Sequence, residues 1–371
     1  MENTSIKPRL YIGKDIHKRS YHVTIRTEIN EHKSMSMPPD PDALFEYVHR
    51  LFPQHDVHLT YEAGCCGFSS ARYYLNLGWN VTIVNPADIP VSNKHAFQKT
   101  DKIDSRNLCK QLQLGTLKNI YIPTEAQEQF RSLLRHRLKL TRDLRRIKSQ
   151  IKSSLLFHGI KIPTEYDNNH WTHNFRNWIA SLEWSTPCGK SNMTRKLSDF
   201  EYIYAQYKDT ANELRAYAKK SYPKEYDLLR TIPGIGGFIA AALLAEIGDF
   251  SRFSNETQFS SYLGVIPGIY NSGSKETNLG VTPRANHTLR PLLIEAVWVA
   301  VAKDPEIQHY YRSHIGKNPK TIVVKIAHKM ARRILGVIKS GQPYRINYNQ
   351  SLDPSLTLPT QAQDIIDNQE E

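Results

Sequence analysis

The chain has 371 residues, with 49 Lys and Arg against 36 Asp and Glu, a formal net charge of +13, and 40% hydrophobic residues. That balance fits a globular protein of two domains or more and excludes a disordered or fibrous class. There is no apolar run of membrane-spanning length and no apolar signal region at the start, and the four cysteines, two of them adjacent (Cys65, Cys66), fit neither a zinc spacing nor a disulfide framework. The expectation is a cytoplasmic, reduced protein with no membrane association.

Up to about residue 122, short β-like runs alternate with helical ones. Residues 10–13, 21–26, 57–61 and 81–84 are short and rich in β-branched or aromatic side chains, which predicts strands. Residues 42–52, 68–77 and 104–114 read as helices. Two strands first, then strand–helix alternation, imply an α/β domain with a mixed sheet, set at 1–125.

From about 126 the pattern becomes long and helical. Leu133, Leu140, Leu144, Ile147 and Ile151 form a heptad seam, and Phe200, Ile203, Tyr207, Ala211 and Leu214 repeat it. The two stretches predict an antiparallel coiled-coil arm over 126–224, with an elaborated tip around 158–197. A core helix pair shows the same periodicity. The arm reading rests on basicity, since residues 131–152 hold nine Lys or Arg and the single acid Asp143. Arg131, Arg135, Arg142, Arg145 and Lys152 are the expected phosphate contacts; the bland reading of such a run is a solvated face.

A helical domain is set at 225–345. It opens on an Ile-Pro-Gly-Ile-Gly turn between two apolar helical runs, which reads as a helix–hairpin–helix. Gly234 and Gly236 would let its backbone approach a nucleic-acid phosphate, although an ordinary αα-hairpin has the same pattern. Two more helices are expected at 290–302 and 321–338. The remainder, 346–371, is polar and acidic and is expected to be disordered.

Charge follows these divisions. Residues 1–125 carry 15 basic and 13 acidic side chains, 126–220 carry 18 against 9, and 221–350 carry 16 against 9. A nearly neutral first third beside two basic segments points to a polyanion, with nucleic acid the first candidate.

The acids of the first domain carry the chemistry. Asp15 follows the first strand and Glu62 closes another, while Asp101 and Asp104 share one helix face at a three-residue spacing. Carboxylates at strand ends with a helical Asp pair suit a divalent-metal site, in which two ions about 3.5–4 Å apart can act on a phosphodiester. Any one of them alone reads as a surface or capping residue, and Asp101 as an N-cap.

These motifs resemble the insertion-sequence-110 family of transposases, the DEDD or bridge-RNA-guided serine recombinases. Gly-Lys-Asp15, Tyr-Glu62-Ala-Gly and Lys-Thr-Asp101-Lys-Ile-Asp104 follow the family's four acids in order. Ile-Pro-Gly-Ile-Gly, Ala-Glu-Ile-Gly-Asp, Tyr-Leu-Gly-Val-Ile-Pro, Asn271-Ser272-Gly273 and Leu-Arg-Pro-Leu-Leu-Ile-Glu-Ala follow its C-terminal domain, so the resemblance spans about residues 9–340. Lys14 stands where the family more often has Ile, and Asn271 where its serine motif begins with Ser.

The resemblance implies an α/β plus all-α protein: a RuvC-like, ribonuclease H-fold domain, a coiled-coil arm and a helical transposase domain. It implies that Asp15, Glu62, Asp101 and Asp104 hold Mg²⁺ or Mn²⁺, and that Ser272, by itself an ordinary turn serine, is the nucleophile. Lys102, Lys275, Arg284 and Arg290, beside these motifs, are expected nucleic-acid contacts. The implied partners are donor and target DNA, a noncoding bridge RNA and further copies of the chain in a dimer or tetramer, in a prokaryotic cytoplasm at the nucleoid. The alternatives are a Holliday-junction-type nuclease that uses water, and a catalytically inactive nucleic-acid-binding relative.

Overall fold

The computed structural model describes residues 7–90, 100–272, 275–281 and 285–346, with residues 267–281 described through their backbone. The chain divides into two compact units, Met1–Glu125 and Ala126–Glu371.

The first unit is built on a five-stranded sheet in the order β3-β2-β1-β4-β5. Its strands are β1 (Arg9–Ile16), β2 (Tyr21–Thr27), β3 (Glu31–Met37), β4 (Asp56–Glu62) and β5 (Asn80–Val84). β1 runs antiparallel to β2, with Ile12 opposite Ile25, and parallel to β4, with Ile12 opposite Leu59. The sheet is therefore mixed. β3 is absent from the predicted strands: Glu-His-Lys-Ser-Met-Ser-Met has no β-branched residue, and it pairs as a partly exposed edge strand.

Alternation along β1 sends its side chains to two faces. Leu10 and Ile12 pack with Leu44 and Val48 of α1 (Pro41–Leu51) and with Tyr74 of α2 (Ser69–Asn76). The other face receives α3 (Asp101–Gln113) at Gly13. A Cβ at residue 13 would stand 2.2 Å from the Ser105 carbonyl oxygen and 2.4 Å from the Cys109 nitrogen, so only glycine lets this helix lie so close to the strand. Ser105 Oγ and Thr24 Oγ1 share a hydrogen bond of 2.9 Å across the same contact.

Lys14 is fully buried on the α2 face. Its Nζ donates to Ser70 Oγ at 2.9 Å and lies 3.7 Å from the centre of the Tyr21 ring. Burial drives its pKa down to about 7, against smaller opposing influences of Cys66 and Asp40. An unfolded lysine keeps its proton up to about 10.5, so above pH 7 the unfolded state binds more protons and stability rises with pH. Burial raises the Tyr21 and Cys66 pKa values, which works against this trend where those groups titrate in the unfolded chain. From pH 7 to 9 the parent is expected to gain up to about 2 kcal/mol relative to Lys14→Met. At pH 7 the variant should be the more stable, because it no longer takes an ammonium out of water. Urea unfolding at both pH values measures this, and parallel pH dependence in the two proteins would refute it.

The second unit begins with α4 (Glu125–Phe157), about 50 Å of helix. α5 (His173–Ser181) and α6 (Pro187–Ser221) follow. Phe130 and Leu134 share a core with Leu214 and Ala218, whereas Leu144–Leu155 lie with Met193 and Phe200. Partners thus run down α6 as the chain runs up α4, which is an antiparallel pair. Of the predicted seam, Leu140, Leu144, Ile147 and Ile151 are buried, and Leu133 yields the central position to its neighbour Leu134. At the tip, Trp171 lies against both Phe200 and Phe175, and Phe175 stacks on Trp178.

The rest is mainly helical: α7 (Pro223–Arg230), α8 (Gly237–Ile247), α9 (Glu256–Leu263), α10 (Leu289–Lys303), α11 (Pro305–Arg312) and α12 (Pro319–Ser340). An all-helical reading of this part is corrected by a two-stranded hairpin, β6 (Pro267–Ser272) and β7 (Lys275–Val281). The tail past residue 346 and Arg284 lie outside the described residues. No described helix is long and apolar enough to cross a membrane.

Candidate active site

Asp15 lies near the C-terminal end of β1, and Glu62 ends β4 one position past the Lys14–Tyr61 pair. The two acids thus end adjacent parallel strands. Asp101 and Asp104 occupy the first turn of α3, where the free helix amides favour negative charge. The helix cap is Thr100, whose side chain accepts from the Ile103 N–H at 3.3 Å, so the N-cap reading of Asp101 is corrected. Because α3 seats on Gly13, its first turn comes to the end of β1. The Asp15 pKa is raised, mainly by burial; His17 opposes the rise, and the carboxylates of Asp101 and Asp104 add to it.

His17 is a residue that sequence reasoning missed, although its place two residues after Asp15 was the available signal. Its Nε2 lies 3.2 Å from Asp15 Oδ2 and 3.3 Å from Asp101 Oδ1. One ligand atom from each of Asp15, His17 and Asp101 falls within 4.8 Å of the others, and Glu62 and Asp104 are outside this trio. Carboxylate oxygens with a single imidazole form a donor set that fits a divalent cation. Lys102, exposed, is the next residue along the same helix.

The basic residues divide. Arg131 donates to the Glu246 carbonyl at 3.0 Å, and Arg135 Nε pairs with the Glu246 carboxylate at 3.1 Å. Glu246 is only 2% exposed. Asn286 and Tyr262 also donate to it, and Gln127 donates to the carbonyls of Leu244 and Ala245. Arg131 and Arg135 thus fasten the base of the helix pair to the C-terminal end of α8, with most of the Arg135 side chain still exposed. The signal was a lone Glu within an apolar helix.

Lys152 donates to the Asn168 carbonyl at 2.7 Å within the tip. Arg142 and Arg145 are exposed, with no ion pair among the described residues. Replacing both with Gln is expected to lower the salt slope of nucleic-acid binding by about 0.7–0.9 for each phosphate that is no longer neutralised. Fluorescence anisotropy across a salt series reads this, and an unchanged slope would make them a solvated face.

The hairpin glycines divide as well. Gly234 has φ +91°, and a Cβ there would stand 2.3 Å from the Ala296 carbonyl oxygen. It serves the packing of the hairpin on α10. Gly236 is exposed and caps α8 with open space around it. The Arg290 guanidinium lies against Gly264 at the end of α9. Ser272 is the last residue of β6, paired with Lys275, the first of β7.

Two transposase families match the chain. The DEDD transposase family of IS110 elements covers residues 12–159, and the family described as transposase IS116/IS110/IS902 covers residues 226–312. The chain carries the two transposase domains of the IS110 family. It is an enzyme of DNA recombination, and its mixed sheet followed by helices is consistent with a DEDD, RuvC-like unit joined to a helical one.

Transposase y4qE of Sinorhizobium fredii is 26% identical over 242 residues, 65% of this chain and 58% of that relative. The transposase for insertion sequence element IS1533 of Leptospira borgpetersenii is 25% identical over 361 residues, 92% of this chain and 99% of its own. A pilin gene-inverting protein of Moraxella lacunata is 24% identical over 353 residues, 91% of this chain and 98% of its own.

Proposed function

We propose that this transposase cuts and rejoins DNA strands by a metal-dependent reaction in which Ser272 carries the cut end, guided by a noncoding bridge RNA. The observation that supports it most is the meeting of Asp15 and Asp101 at the end of β1, with Asp104 close enough to raise the Asp15 pKa. Asp15, Asp101 and Asp104, with Glu62 on the next strand, would hold Mg²⁺ or Mn²⁺. Such an ion, when bound, supplies neutralisation of the scissile phosphate and polarises its oxygens. The N-terminal unit is read as the RuvC-like catalytic domain, 126–224 as the basic arm, and 225–345 as the domain that brings the serine.

In this reading the Ser272 hydroxyl oxygen bonds to phosphorus, its proton passes to a base, and the bond to the leaving oxygen breaks. The ester retains the bond energy, so attack by the partner strand's hydroxyl rejoins DNA without ATP. The acids and the serine come from different parts of the chain and would meet on one phosphate in a dimer or tetramer on donor and target DNA. Lys102, Lys275, Arg284, Arg142 and Arg145 would contact the nucleic-acid backbone.

The test incubates the purified full chain, with its copurifying RNA, with end-labelled element DNA in Mg²⁺ or in EDTA, followed by denaturing electrophoresis. A covalent protein–DNA band in Mg²⁺ alone is expected. Cut DNA without that band would favour a nuclease that uses water. Sequencing the copurified RNA should recover one noncoding species with segments complementary to both DNA partners; bulk cellular RNA alone would remove the guide from the reading.

A further inference from the structure

His17 is the one member of the acidic cluster that a site for hard cations does not require. It lies in the turn after β1, where its N–H donates to the Ser20 carbonyl at 3.0 Å. This turn fixes the residue's backbone, and Nε2 stands almost equidistant from the two carboxylates, at 3.2 and 3.3 Å. Ligands about 2.1–2.2 Å from an octahedral ion have adjacent donor atoms about 3.0 Å apart. The spacing of His17 from Asp15 and Asp101 is close to that value. A small settling of the side chains would let all three share one ion.

We infer that His17 Nε2 is a ligand of the same ion as Asp15 and Asp101, and that it biases the site toward Mn²⁺ over Mg²⁺. The inference rests on the reading that these acids hold a metal. An imidazole nitrogen is a good donor to first-row transition ions, whereas Mg²⁺ takes oxygen and surrenders its waters reluctantly. A site of carboxylates alone has no such preference built in.

The competing role has the same geometry without metal: an imidazolium acting as an internal cation between two carboxylates. The two roles predict opposite signs when the ring is removed. An internal cation competes with the ion, so His17→Ala would bind both metals more tightly. A ligand contributes to binding, so His17→Ala should lose about 10–100-fold in Mn²⁺ affinity and change less than about threefold for Mg²⁺. His17→Gln offers an oxygen in the same place, and should keep Mg²⁺ affinity while losing the preference for Mn²⁺.

The experiment titrates the full-length protein with Mn²⁺, followed by electron paramagnetic resonance, and with Mg²⁺ by calorimetry. Spin-echo modulation of the Mn²⁺-loaded parent should show coupling to a nitrogen, and that coupling should vanish in both variants. Equal or tighter binding of both ions by His17→Ala, or nitrogen coupling that survives the substitution, overturns the proposal. Asp15→Asn separates this failure from failure of the metal reading. It should abolish binding of both ions; undiminished binding there means that the ion sits elsewhere, which overturns both readings together.

Discussion

Asp104→Asn is expected to lower strand cleavage by about two to three orders of magnitude while nucleic-acid binding stays within about threefold. The loss corresponds to several kcal/mol of charge stabilisation at the phosphate, about 1.4 kcal/mol for each tenfold. Asp104 sits in the first turn of α3, and its charge adds to the rise in the Asp15 pKa. The amide is nearly isosteric and can still accept hydrogen bonds, so α3 should keep its seat on Gly13 and its Thr100 cap. A second consequence follows from the sign of that shift. Without the Asp104 charge, the Asp15 pKa should fall toward the ordinary carboxylate value, which a carboxylate-resolved NMR titration reads. Full cleavage in Mg²⁺ by this variant would remove Asp104 from the site.

Ser272→Ala is expected to abolish strand exchange and to leave no covalent protein–DNA band. Ser272 ends β6, and its pairing with Lys275 is a backbone ladder that alanine preserves. Loss of one hydroxyl there should cost folding no more than about 0.5 kcal/mol. Binding should likewise persist, because the phosphate contacts proposed above are made by basic residues and not by Ser272. Water can replace serine as a nucleophile in cleavage but cannot conserve the ester, so rejoining should fail even if some cutting remains. Ser274→Ala is the internal control and should exchange strands normally. A band that survives in Ser272→Ala alone would assign the covalent step to another residue.

The elements whose formation depends on neighbours in sequence were legible from it. β1, β2, β4 and β5 coincide with the predicted runs to within a few residues at each end, since each is short, apolar and β-branched. The two long helices follow their heptads, and α10 and α12 their apolar periodicity. β3 escaped because its pairing with β2 is supplied by the register and not by its own composition. The hairpin β6–β7 escaped for a related reason, since Tyr-Asn-Ser-Gly-Ser reads equally well as a loop.

The sequence alone determined the kinds of chemistry available: hard oxygen donors at strand ends and on a helix turn, a basic arm, and family membership through motifs spread over nearly the whole chain. It could not determine which of its charges answer one another. Arg131 and Glu246 are 115 residues apart and join inside the second unit, so that a basic residue of the long helix also anchors α8. Ser105 of α3 meets Thr24 of β2, 81 residues away, as the helix seats on Gly13 of β1, and that packing brings Asp101 to Asp15 and His17. Periodicity records which face of an element is apolar, a local property set every few residues. The distance between two faces depends on what fills the gap, and here the missing Cβ of Gly13 decides it.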